Sequence, residues 1–166
     1  FLLDWLNQWG CRQFSRDYRR VASKQILLWH TDWGERLPPA RKSLLDLSDV
    51  ELRTANEAFE SLSSKTASIR NARGKKHAVR VGPTGASKIL FAIRPRAFVA
   101  WDDAMRKGLK ADGLAVDYYR FLMLVQADIR AIKKECKRHD LEISELPNEL
   151  CRPEATLPQL ISEYYW

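Results

Sequence analysis

Apolar residues recur at three- and four-residue steps along most of this chain, the spacing that places them on one face of a helix. The longest such run covers residues 115 to about 138, with Tyr118, Leu122, Val125, Ile129, Ile132 and Cys136 as its stripe. Its last turns carry Lys133, Lys134, Lys137 and Arg138, which suit the negative end of the helix dipole. Leu2, Leu3, Leu6 and Trp9 predict a short helix stopped near Gly10. Residues 14–33 read as another, with Tyr18, Val21, Ala22, Ile26 and Trp29 or His30 facing inward and His30 expected half-buried. Pro38-Pro39 breaks that pattern. Ser48-Asp49-Val50-Glu51 is a capping box that opens a helix to about Leu62, with Leu52, Ala55, Ala58, Phe59 and Leu62 as its buried face.

Pro83 starts a helix over residues 84–93, and Pro95 ends it. Residues 98–101 form an apolar connector, Asp102 and Asp103 cap a helix to Gly108, and Thr156 caps a final helix with Pro158 in its first turn. Between Arg70 and Arg80 the local signals are a turn at Gly74 and a short extended piece at residues 79–81. Strand signals are too few for a sheet covered by helices. The expectation is an all-α fold, a single compact domain of about seven helices over residues 1–166.

Composition supports a folded core: 45 % of the 166 residues are hydrophobic, with six Trp, six Phe and five Tyr. Cys11, Cys136 and Cys151 lie far apart and are odd in number, which argues against a disulfide framework. With only His30, His77 and His139 beside them, no metal cluster is expected, and no cofactor is implied. Asp4 interrupts the first apolar residues too early for a signal peptide, and no apolar run approaches the ~20 residues that cross a bilayer. The chain reads as cytoplasmic, or nuclear if eukaryotic, without a membrane partner. Lacking an initiator Met and stopping at Trp166 in an aromatic run, it reads as a trimmed part of something longer.

Charge changes the picture most. Residues 61–101 contain no Asp or Glu, yet carry Lys65, Arg70, Arg73, Lys75, Lys76, Arg80, Lys88, Arg94 and Arg96. Removing these nine from the 28 basic residues leaves 19 against 21 acids, so the whole positive excess of +7 sits in one quarter of the chain. A polyanion is the natural partner of such a segment, and nucleic acid is the commonest one. Gly82-Pro83-Thr84-Gly85 lies at its centre, a glycine turn into a helix N-terminus, where backbone N–H groups bind phosphate well.

The segment Val81-Gly82-Pro83-Thr84-Gly85-Ala86-Ser87-Lys88-Ile89-Leu90, followed by Phe98-Val99-Ala100-Trp101-Asp102, resembles the helix-hairpin-helix superfamily of base-excision DNA glycosylases. The resemblance covers about residues 79–106. Val81, Gly82 and Ala86 match the family's Val-Gly-x-x-x-Ala hairpin core, and Asp102 falls at the place of its catalytic aspartate without a gap. The resemblance implies a helix-hairpin-helix-like element near residues 78–93 and a role in DNA repair. It also departs from the family's pattern. Arg80 replaces the first hairpin glycine, Pro83 removes an N–H, and the lysine of lyase-competent members falls on Thr84, which cannot form a Schiff base. The four-cysteine iron–sulfur cluster of several members is absent. An enzyme of this kind would be monofunctional because that lysine is missing; the catalytic alternative is Lys88, one turn past Thr84 on the same face, as a replacement amine lying one turn deeper.

On this reading Asp102 stabilises a cationic sugar or activates a water, and Trp101, Trp29 and Trp33 line a pocket for a base taken out of the stack. Arg70, Arg73, Lys75, Lys76, Arg80, Gly82, Thr84, Gly85 and Lys88 grip nucleic acid. Each residue also has a plainer role. Asp102 suits a helix cap, Lys88 an ion pair with Asp102 or Asp103, and the tryptophans a core. Two rival functions follow: a non-enzymatic nucleic-acid-binding or scaffold domain of the same architecture, or a helical domain whose basic patch meets an acidic protein or anionic metabolite.

Overall fold

The computed structural model describes residues 1–165, and among these the chain forms eight α-helices and one two-stranded antiparallel sheet. In chain order they are α1 (Leu2–Gln8), α2 (Arg19–Trp33), α3 (Asp49–Ser64), β1 (Thr66–Ala72), β2 (Lys75–Arg80), α4 (Gly82–Ile93), α5 (Asp103–Gly108), α6 (Ala115–Arg138), α7 (Leu146–Glu149) and α8 (Leu157–Tyr164). No helix among the described residues is long and apolar enough to cross a membrane.

The expected α3 stripe is buried throughout, and its capping box is formed. The Ser48 hydroxyl accepts the Glu51 amide at 3.3 Å, while the Glu51 carboxylate accepts the Ser48 amide at 2.9 Å. Helix α6 packs across α3 and α8, and α4 packs on α3. Gln126 of α6, buried where this helix meets the 3₁₀ turn Leu44–Asp46 before α3, donates to the carbonyls of Leu44 and Leu47 at 2.8 and 2.9 Å, satisfying a polar side chain in an apolar setting. At the centre, Phe59, Trp101, Tyr118 and Phe121 pack ring on ring, with Phe59 and Tyr118 stacked at 4.2 Å.

Three expectations need correction. Helix α2 begins at Arg19, not Phe14: the Asn7 side chain binds the Phe14 carbonyl at 3.0 Å, and Ser15 caps a separate 3₁₀ turn, Arg16–Tyr18. His30 is exposed, because Ala22, Ile26 and Trp29 alone turn inward. The basic segment is an ordered hairpin, β1 with β2, whose register pairs Arg70 with His77 and Ala72 with Lys75. Helices α3 and α4 are therefore joined by this whole ribbon. The element near residues 78–93 is a strand leading into a helix, with Val81 N–H closing the ribbon base on the Lys65 carbonyl at 2.8 Å.

Candidate nucleic-acid interface and the cavity beside Asp102

The ribbon is anchored at its base, where Ala67 and Ser68 are buried, and every residue from 70 to 78 is exposed. Its two-residue turn is Arg73-Gly74, both with positive φ (51° and 74°), as a type I′ hairpin requires. Side chains alternate across a strand, so Arg70, Lys75 and His77 lie on one face and Lys76 and Arg80 on the other. Arg73 occupies the tip. Five of the predicted nucleic-acid residues thus share one protruding element, which holds no acid to neutralise them.

The start of α4 is set by local packing. Gly82 has φ +67°, a conformation that favours glycine, and Pro83 follows in the first turn. Thr84 accepts a hydrogen bond from the Arg106 guanidinium at 2.9 Å. Gly85 is buried: a Cβ there would come within 2.6 Å of Gln13 Nε2 and 2.9 Å of Val81 Cγ1. Close packing alone is enough to require a glycine here.

A cavity of about 670 Å³ opens between the end of α1, the middle of α4, the connector before α5, and α8. It brings together three residues singled out from the sequence: Lys88, Trp101 and Asp102. Asp102 caps α5, its carboxylate accepting the Met105 amide at 2.9 Å. Its position is set from behind by Ser87, which is fully buried. The Ser87 hydroxyl donates to the Trp101 carbonyl at 2.9 Å and accepts the Trp101 amide at 3.0 Å, tying the connector to α4. Lys88 donates to the Trp9 carbonyl at the end of α1 and lies 5.0 Å from the Trp9 ring centre. Asp103 takes ion pairs from Arg106 and Lys107 at 2.9 and 2.6 Å. The Lys107 hydrogen bond, then the Arg106 one, holds its carboxyl below the ordinary value.

The expected trio of tryptophans does not line this cavity. Trp29 is fully buried in the core, donating to the Ala58 carbonyl at 3.1 Å. Trp33 is half-buried at the end of α2, with the Arg36 guanidinium 4.0 Å from its ring centre. Trp101 borders the cavity, but its side chain belongs to the central aromatic cluster and is fully buried. The exposed aromatic wall is Trp9, which the sequence reading placed in the stripe of α1. Trp9 is 38 % exposed and stacks on Phe91 at 5.7 Å and 21°. Its place beside the stop signal of Gly10 was the available clue. The polar rim adds Gln159 and Glu163 of α8, and none of the ribbon cations lines the cavity. Cys11, near Lys88, has its thiol pushed up by burial, an effect the lysine partly offsets.

Among the described residues, no group of His, Cys, Asp and Glu could hold a metal ion. No family model matches this chain, and neither curated proteins nor solved structures yield a match.

Proposed function

We propose that this protein binds DNA through the basic ribbon. One observation carries the reading: five cations stand on a protruding, solvent-exposed hairpin with no acid among them. These side chains would displace the counterions condensed on the phosphates they neutralise, so affinity should fall linearly in log–log against salt. The test is binding of a fluorescent DNA duplex across a salt series, wild type beside Lys75→Ala/Lys76→Ala. Loss of two phosphate contacts should flatten the slope by about two. No binding at low salt would remove the reading.

A second activity is supported by the joint presence of Lys88, Asp102 and an exposed Trp9 around one cavity, together with the likeness of residues 79–106 to helix-hairpin-helix glycosylases. In this reading a base leaves the stack and rests on Trp9, and the Asp102 carboxylate faces the sugar. The bond from the sugar C1′ to the base breaks, water adds its oxygen at C1′ while Asp102 takes a proton from it, and the base leaves with a proton from solvent, so that one water is consumed with no net proton change. Thr84 supplies no amine and the Lys88 amine is bonded to the Trp9 carbonyl, which favours hydrolysis over strand cleavage. Asp102→Asn tests it, because Asn caps helices as well as Asp does and the fold should persist. A glycosylase would lose base release and keep DNA binding. A non-enzymatic binding or scaffold domain would be unchanged in both.

A further inference from the structure

We propose that the ribbon enters the major groove of duplex DNA tip first, with Arg73 reaching the base edges; this rests on the DNA-binding reading above. Three observations converge on it.

The first is the distribution of charge. Arg70 and Lys75 lie on one face of the ribbon, Lys76 and Arg80 on the other, and Arg73 at the tip. A single strand offers one row of phosphates and would meet one face. A groove has a phosphate wall on each side, so cations on both faces match a duplex.

The second is size. Four residue pairs, from Ile69 with Ala78 to Ala72 with Lys75, extend beyond the buried base. At about 3.4 Å per residue the free part is roughly 10 Å long, and its two strands lie about 5 Å apart. The B-form major groove is about 12 Å wide and 8.5 Å deep and admits a two-stranded ribbon, whereas the minor groove is about 6 Å wide. The major groove of A-form RNA is too narrow for side chains to read.

The third is backbone conformation at the tip. Arg73 holds φ +51° at the first central position of the turn, where Asn, Asp or Gly is favoured. Arginine is a poor choice for the turn and the best side chain for guanine O6 and N7. A poor turn former at the point of deepest reach marks that position as one used for contact.

The test compares a short mixed-sequence DNA duplex, its single strand, and an RNA duplex of the same sequence at one salt concentration, for wild type and Arg73→Asn. Asn suits the positive φ, so the variant's unfolding midpoint should be unchanged or higher. The DNA duplex should bind roughly tenfold tighter than the other two probes, and Arg73→Asn should remove most of that preference. Equal affinity for all three probes, or an unchanged duplex preference in Arg73→Asn, would overturn groove entry and leave DNA binding standing. No binding to any probe would overturn both.

Discussion

Ser87→Ala removes a single oxygen from the interior, and its cost can be worked from the geometry. Ser87 is fully buried, and its hydroxyl both donates to the Trp101 carbonyl at 2.9 Å and accepts the Trp101 amide at 3.0 Å. Alanine leaves one N–H and one carbonyl without that partner, in a region closed by Phe59, Tyr118 and Phe121. A buried polar group left unsatisfied costs about 1–3 kcal/mol, so a loss of about 2–3 kcal/mol is expected. With a urea slope of about 2 kcal/mol/M, the midpoint should fall by roughly 1 M at unchanged slope. The control is Ser162→Ala on α8, whose hydroxyl only bonds the Gln159 carbonyl within its own helix at 2.8 Å. That change should stay within about 0.5 kcal/mol. A Ser87→Ala loss no larger than the control's would refute the claim that this hydroxyl fixes the connector leading to Asp102. Duplex binding by the folded variant should match wild type, because the ribbon does not touch this bond.

Three further outcomes follow from the structure. Ser48→Ala should cost about 1 kcal/mol by urea unfolding, since it removes the hydroxyl half of the α3 capping box. Glu51 is held below its ordinary value of 4.5 first by the Lys42 hydrogen bond and then by the Ser48 amide. Its contribution is therefore full above pH 4.5 and is lost as pH falls through the lowered folded value, so the difference in Tm between wild type and Glu51→Gln should close on acidification from neutral. Of the three thiols only Cys151 is exposed, so a thiol reagent should modify one cysteine rapidly and reach Cys11 and Cys136 only on unfolding.

The helices were legible because burial writes itself into sequence with a period. Helix α6 spans the residues its stripe marked, and Asp102, Thr156 and the Ser48 box sit where a capping side chain was expected. The ribbon was not legible as strands for the same reason in reverse. Both of its faces meet solvent beyond Ile69, so no alternation of apolar and polar residues marks it, and its turn is Arg-Gly where Asn-Gly would have announced a hairpin. The site divides likewise. Lys88 and Asp102 were found through local sequence around a helix start, and the cavity gathers them. Trp9 and Gln159 reach it from the two ends of the chain, and Trp29 leaves it for the core; long-range packing decides these, and no local spacing encodes it.

A sheet of two strands is all edge. Each strand of the ribbon pairs inward, and among the described residues no further strand meets its outer row of backbone N–H and C=O groups, which is a template for strand addition from another copy. Arg70 on one strand and Lys75, Lys76 and Arg80 on the other give both edge strands like charges, so two copies that approach edge to edge repel each other before their backbones can pair. The cations therefore oppose edge-to-edge pairing whatever they bind. Replacing them with Val or Thr would be expected to turn the ribbon into a seed for self-association, whereas a nucleic acid laid along it would shield the rims and let the protein tolerate high concentration.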